Sequence, residues 1–261
     1  MIHLLDPILL QLGPLQIRWY GVLYVLGFIL GYFILIRLAK EKKLSLSKDD
    51  IGDLIFYLIL GVVLGARIGY IVFYNFGYYL SNPLEILALW HGGLSFHGGF
   101  FGAMAAIWLF SRKKKLHFYE ISDMVVVPAA LALALGRIGN FINGELYGRI
   151  TNVSWCVDYS QNPHMVEKVE GCRHPSQLYE SLYSFVMFVA LYLLNKKNLP
   201  RGVLTWGFVA IYGLFRTLAE LFRQPDAQVG FLLGGLTMGQ LLSVPMLIVG
   251  VYMVWRTYLK S

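Results

Sequence analysis

Seven long apolar runs dominate the sequence, and each has roughly the 18–25 residues that an α-helix needs to cross a bilayer. Charged residues make up only 14% of the chain, whereas soluble domains usually carry about 25%. We therefore predict an all-α integral membrane protein with seven transmembrane helices. The predicted spans are 19–38, 51–74, 94–111, 120–141, 176–195, 202–221 and 234–255.

Lysine and arginine clusters follow every second span. Cytoplasmic loops of membrane proteins carry such clusters. This pattern predicts an N-terminus outside and a C-terminus in the cytoplasm. It also accounts for the net charge of +7, so we expect no nucleic-acid partner. The clusters comprise Arg37, Lys40, Lys42, Lys43 and Lys48; Arg112, Lys113, Lys114 and Lys115; Lys196, Lys197 and Arg201; and Arg256 and Lys260.

The loops at 75–93, 142–175 and 222–233 are then external, and the whole chain, 1–261, is a single membrane domain. The longest of these loops, 142–175, is expected to form a small cap. It contains Cys156 and Cys172, which either form a disulfide in an oxidising compartment or remain free thiols. Their spacing fits no metal site, and we expect no metal cofactor.

Polar side chains inside the spans fall at one depth, near the outer surface. A charge at bilayer depth costs several kcal/mol (~3 or more) unless it is paired, solvated or functional. Pairing alone could explain Arg216 and Glu220, four residues apart on one helix, and Arg67 could be a packing device. Several guanidiniums at one level instead favour a phosphate-bearing ligand, because their planar fork matches phosphate. The polar set is Arg67, His97, Arg137, Glu180, Arg216 and Glu220.

Two glycine-rich segments carry the most information. The first, His-Gly-Gly-Leu-Ser-Phe-His-Gly-Gly at 91–99, lies where an external loop enters the third span. Its glycines allow close backbone approach, and a helix N-terminus there offers N–H groups to an anion. The second, Gly-Arg-Ile-Gly-Asn-Phe-Ile-Asn-Gly-Glu-Leu-Tyr-Gly-Arg at 136–149, places Arg137 and Asn140 on one helix face. Its interrupted backbone is tolerated at membrane depth only where it is buried in protein or lines a cavity.

At these two segments the chain resembles the prolipoprotein diacylglyceryl transferase family, and the resemblance extends over nearly the whole length. The segment around Arg137 and Asn140 is very specific, whereas the shorter pieces are weak individually. Supporting pieces lie at 18–21, 65–70, 174–180, 215–216, 220–226 and 238–240.

The resemblance implies transfer of a diacylglyceryl group from phosphatidylglycerol to the lipobox cysteine thiol of preprolipoproteins, releasing glycerol phosphate. It also implies a bacterial inner membrane location, with the site on the outer-leaflet side. We assign catalysis to His97, Arg137 and Arg216, with His97 either accepting the thiol proton or only orienting the headgroup. The resemblance implies a phosphatidylglycerol site at Tyr20, Arg137, Asn140, Asn143, Glu145, Gly148, Arg216, Glu220 and Arg223.

Three other functions could be considered for a chain with these features. A lipid or anion transporter also uses intramembrane arginines, but it predicts a site at mid-membrane and often inverted repeats. A serine hydrolase would have to use Ser95, which lacks a Gly-x-Ser-x-Gly elbow. A purely structural membrane protein leaves the layer of polar residues unexplained.

Overall fold

The computed structural model describes residues 1–165, 169–224 and 237–260, and long helices make up most of this part. A short helix, α3 (Phe76–Ser81), and two 3₁₀ turns, Pro83–Ile86 and Leu89–His91, fill the loop between the second and third long helices. Each predicted span coincides with one long helix to within a few residues, although 234–236 lie outside the described residues. The long helices are α1 (Trp19–Glu41), α2 (Lys48–Tyr74), α4 (Phe96–Lys114), α5 (Phe118–Asn143), α6 (Ser176–Asn195), α7 (Val203–Ala219) and α8 (Met238–Leu259).

Five of these helices, α1, α2, α5, α6 and α8, are long and apolar enough to cross a membrane, and α7 is a shorter apolar helix. Their apolar surface is largely uncovered by protein: only 22% of the apolar window of α2 and 11% of that of α8 are buried. Such surfaces require lipid as solvent. The chain is therefore a multi-pass integral membrane protein.

Two short antiparallel sheets were not predicted. One joins β1 (Ile8–Leu12) to β2 (Leu15–Arg18) through a turn at Gly13, whose φ is +59°. The other pairs β3 (Val157–Asp158) with β4 (Cys172–Arg173) inside the predicted cap. Next to this pair, Cys156 and Cys172 form a disulfide with their Cα atoms 5.5 Å apart.

The chain divides into two compact units, one of which comprises Leu35–Ser122. Within it α2 and α4 pack through glycines, so that a Cβ at Gly61 would lie 2.5 Å from the Gly102 carbonyl oxygen. Small residues of this kind let membrane helices approach closely. Ser47 caps α2 in a capping box with Asp50.

The other unit comprises Met1–Ile34 and Asp123–Ser261. Its helices α7 and α8 pack at Gly213 and Gly250, where an added Cβ would lie 2.6 Å from the backbone of the facing helix. The buried Asp123 of α5 accepts hydrogen bonds from the Gly202 and Thr205 amides, at 2.7 and 2.8 Å. Asp123 thus caps the start of α7, where Gly202 has no side chain to do so.

Candidate functional site

Three arginines surround one buried carboxylate in the unit formed by Met1–Ile34 and Asp123–Ser261. Glu180 of α6 is fully buried and contacts Arg137 at 2.9 Å, Arg223 at 3.7 Å and Arg216 at 3.8 Å. Arg216 also pairs with Glu220 at 2.5 Å, one helical turn further on. We call these five residues the arginine–glutamate cluster. Three separate segments of the chain deliver its charges to one place.

The cluster is held by charge more than by hydrogen bonds. Neither carboxylate oxygen of Glu180 accepts a hydrogen bond from the described residues, so the 2.9 Å contact with Arg137 is an ion pair without an aligned N–H. Within the same part of the chain, the buried Nη1 of Arg216 and Oδ1 of Asn143 have no hydrogen-bond partner. Buried polar groups are nearly always satisfied. These atoms therefore make the cluster a candidate site for a polar ligand.

The end of α5 continues the site. Arg137 donates from Nη1 to Asn140 Oδ1 at 3.3 Å, and Asn140 donates to Glu145 Oε1 at 2.8 Å. Asn143 donates to the same Glu145 oxygen at 3.1 Å. The chain reverses here because Gly144 adopts φ +69°. The predicted residues Arg137, Asn140, Asn143 and Glu145 thus form one connected network.

Gly148 brings the segment after α5 against the end of α7. Its N–H donates to the His174 carbonyl at 2.9 Å, and a Cβ there would lie 2.6 Å from the Phe222 carbonyl oxygen. Arg149 then donates to the carbonyls of Glu220 and Arg223, each at 3.0 Å. Only glycine fits at position 148, and this contact fixes the backbone that presents Glu220 and Arg223.

Tyr20 lies beside the same network. Its ring packs on Gly139, where a Cβ would be 2.8 Å from Tyr20 Cδ2, and its hydroxyl lies 3.0 Å from that of Tyr24. Glu145 and Arg137 are within electrostatic range of the Tyr20 hydroxyl. At the start of α8, Gly239 leaves room for the Glu220 carboxylate, since an added Cβ would collide with it.

His97 belongs to the other unit, Leu35–Ser122. It is exposed at the second residue of α4, beside Phe96. Ser95 is the N-cap of this helix and accepts from the Gly98 amide at 3.3 Å, so its hydroxyl has a structural role. This arrangement gives no support to a serine nucleophile.

Arg67 does not contribute a free guanidinium. It is 3% exposed and donates to the carbonyls of Glu85, Ile86, Ala88, Gly92 and Gly93, with its guanidinium 5.0 Å from the centroid of the Tyr79 ring. Arg67 therefore has a structural role, but it holds a loop and does not pack two helices together as predicted. Its partners are the backbone of the loop that leads into α4 and His97.

Two buried residues that contact the network were missing from the predicted site. Glu180 had been noted as a polar residue in a span but was given no role, because sequence alone does not show what a carboxylate faces. Gln177 is fully buried one turn earlier and donates to the Glu145 carbonyl at 2.7 Å. The segment at 174–180, already part of the family resemblance, was the signal for both.

These features define a multi-pass membrane protein with a candidate anion site made of three guanidiniums and two carboxylates. Comparisons with known proteins show the family. The family described as prolipoprotein diacylglyceryl transferase matches residues 7–256. The chain belongs to this family.

Curated relatives cover almost the whole chain. A phosphatidylglycerol–prolipoprotein diacylglyceryl transferase of Geobacter sulfurreducens is 49% identical over 250 residues, 95% of this chain and 94% of the relative. The proteins of that name from Azospirillum brasilense and Aeromonas hydrophila are 48% and 43% identical, over 96% and 97% of this chain and 93% and 91% of theirs.

Proposed function

We propose that this chain is a transferase that moves the diacylglyceryl group of phosphatidylglycerol to the lipobox cysteine thiol of preprolipoproteins, the first step of bacterial lipoprotein maturation. The observation that carries the proposal is the arginine–glutamate cluster, in a chain whose relatives bear that name. Its guanidiniums suit a phosphodiester inside a membrane protein, where water is scarce.

The reaction needs little more than charge stabilisation and a thiolate. The thiol loses its proton to a base, and the sulfur then bonds to the glyceryl carbon while the carbon–oxygen bond to phosphate breaks. The electron pair of that bond stays on the phosphate oxygen, giving glycerol phosphate and a thioether. We assign Arg137 and Arg216 to the phosphate, because donors fixed where charge grows stabilise the transition state, each by about 3–4 kcal/mol.

The network at the end of α5 is assigned to the headgroup. The unsatisfied Asn143 Oδ1 is an acceptor suited to a glycerol hydroxyl, and the unsatisfied Arg216 Nη1 is a donor suited to a phosphate oxygen. The other headgroup residues in this proposal are Tyr20, Asn140, Glu145, Gly148, Glu220 and Arg223.

His97 is assigned to the thiol proton or to orienting the headgroup. An exposed imidazole at a helix start can accept a proton near neutral pH. A thiol with a pKa of about 8.5 is mostly protonated at that pH, so a proton acceptor raises the thiolate fraction.

We further propose seven spans in a single domain, 1–261, within the bacterial inner membrane. The N-terminus is outside and the C-terminus is in the cytoplasm, and residues 142–175 form an external cap over a site open to the outer leaflet. Basic residues at the ends of α1 and α4 support this orientation. The Cys156–Cys172 disulfide supports an oxidising side for the cap.

Purified protein in detergent, given phosphatidylglycerol and a lipobox peptide, tests the function. We expect glycerol phosphate release to match, mole for mole, a diacylglyceryl mass gain on the peptide, with no gain on a peptide carrying serine in place of cysteine. Release without peptide modification would indicate a lipase. No turnover by folded protein would restore the transporter hypothesis.

A further inference from the structure

The arginine–glutamate cluster has a definite formal charge. Arg137, Arg216 and Arg223 contribute three positive charges and Glu180 and Glu220 two negative ones, which leaves +1. All five residues are largely buried, with Glu180 at 0% and Glu220 at 3% exposure. A buried carboxylate is costly, and these two do not accept the hydrogen bonds of every guanidinium around them. Their charge therefore calls for an explanation beyond packing.

Resting on the proposed function, we propose that Glu180 and Glu220 act as counter-charges that match the cluster to a monoanionic phosphodiester and prevent tight retention of the dianionic product. Phosphatidylglycerol carries one negative charge on its phosphate. Glycerol phosphate carries nearly two above its second pKa of about 6. Without the two carboxylates, three guanidiniums would favour the dianionic product over the monoanionic substrate far more than the +1 cluster does.

Electrostatics gives the expected asymmetry. The energy between a carboxylate and a bound anion is proportional to the charge of that anion. Removing one carboxylate therefore changes the logarithm of the affinity for a dianion about twice as much as that for a monoanion. Glu180 faces all three guanidiniums and Glu220 faces one, so Glu180 is the more informative position.

The geometry agrees with a counter-charge role. Both Glu180 oxygens lie near guanidiniums without a hydrogen bond from the described residues, and Arg216 retains an unsatisfied Nη1. A carboxylate that only anchored arginines would take aligned N–H groups for itself. Here the two carboxylates reduce the charge of the cluster to +1 while Arg216 Nη1 keeps a donor for a ligand.

Two soluble probes differ in charge and allow binding of a monoanion and a dianion to be compared. They are glycerophosphoglycerol, a monoanionic diester, and glycerol 1-phosphate, a dianion at pH 8. Their affinities are measured on the full chain by displacement of fluorescent phosphatidylglycerol, which needs no turnover. In Glu180→Gln we expect affinity to rise about threefold for the diester and about tenfold for glycerol phosphate. The matched control is Glu41→Gln, in an exposed pair with Arg37, and it should leave both affinities unchanged.

A structural role predicts a different result. If Glu180→Gln weakens both probes, or changes them equally, the counter-charge proposal is wrong. Glu220→Gln makes the same charge change and must shift the ratio in the same direction, so the proposal stays testable if Glu180→Gln does not fold. If the wild-type protein transfers the diacylglyceryl group but neither variant changes the ratio of the two probe affinities, this inference alone is refuted. Wild-type protein that neither transfers nor binds the diester refutes the proposed function.

Discussion

Arg67 is buried and Arg137 is half-buried, both in apolar helices, yet their partners differ in kind. Arg67 donates only to backbone carbonyls of a neighbouring loop. Arg137 contacts the side chains of Asn140 and Glu180. Neither carboxylate oxygen of Glu180 accepts a hydrogen bond from the described residues. A buried arginine in a membrane protein is thus evidence for a ligand site only when its donors are not already taken by backbone.

Replacing Arg67 by lysine should destabilise the unit Leu35–Ser122 by about 3 kcal/mol or more, because an ammonium cannot reach five carbonyls and leaves several without a donor. Thermal unfolding, with hydrogen exchange across residues 85–93, measures the change. The control is Arg112→Lys, at the end of α4, which should be nearly neutral. Equal stability of the two variants would contradict this role for Arg67.

His97→Gln separates the two roles proposed for that residue. If His97 accepts the thiol proton, turnover falls about 10²–10⁴-fold at neutral pH, and raising the pH restores part of it as the thiol ionises by itself. Rates of peptide modification between pH 6 and pH 9 test this, with His117→Gln, directly before α5, as the control. Near-normal turnover of His97→Gln would remove the residue from catalysis.

At the residue scale, composition and spacing allowed Arg137, Asn140 and the segment at 136–149 to be predicted, because polar groups inside apolar runs are conspicuous. Glu180 was conspicuous in the same way, but its role depends on Arg216 and Arg223, which come from a distant part of the chain. Sequence spacing within one helix suggested the Arg216–Glu220 pair. It could not suggest a carboxylate shared by three guanidiniums.

The contact between α2 and α4 depends on glycine. We expect Gly65→Ala to destabilise the protein by about 1–3 kcal/mol, because the new Cβ would lie 2.8 Å from Gly102 Cα and force the helices apart. Gly52→Ala, in the same helix with open space around it, is the matched control and should be neutral or slightly stabilising. Unfolding temperatures in detergent compare the two. A neutral Gly65→Ala would mean that the helices are not tightly packed there.

The long helices could be predicted because hydropathy is a local property: seven apolar runs became seven helices. The two small sheets could not. The β1–β2 strands mix exposed leucines with glutamines and an arginine, so they show no clean alternation. The β3–β4 pair has two residues in each strand and is stabilised by a disulfide that sequence left open. Asp226 and the rest of 225–236 lie outside the described residues.

At the scale of the whole molecule, the first residues of the chain hydrogen-bond to the segment predicted to be a cap, 142–175. The Met1 ammonium donates to the Cys156 carbonyl at 2.8 Å, and the His3 amide donates to the Asp158 carbonyl at 2.8 Å. The buried His3 ring lies 2.7 Å from both the Phe141 carbonyl, at Nε2, and Asn162 Nδ2, at Nδ1. Since one partner is an acceptor and the other a donor, the neutral Nε2–H imidazole fits both.

The contacts of His3 predict that this part of the chain is sensitive to pH. Burial lowers the pKa of His3 below its ordinary value of 6.5, and that of His174 likewise. A lowered histidine pKa means that the unfolded chain binds the proton more readily, so stability is present above about pH 6.5 and is lost as pH falls through the folded pKa. We expect the protection factors of the amides of residues 2–3 and 157–158, meaning exchange corrected for its intrinsic pH dependence, to fall between pH 7.5 and pH 5. In His3→Gln much of this pH dependence should disappear. An unchanged profile would mean that another group causes it.

The central claim is that the arginine–glutamate cluster holds the phosphate of phosphatidylglycerol while its diacylglyceryl group moves to a cysteine thiol. The most direct measurement is the initial rate of peptide modification, by mass spectrometry, for wild type, Arg137→Ala and the exposed-arginine control Arg37→Ala, all shown to be folded. We predict a loss of at least about 10²-fold in Arg137→Ala and a wild-type rate in Arg37→Ala. Equal rates in all three would contradict the account.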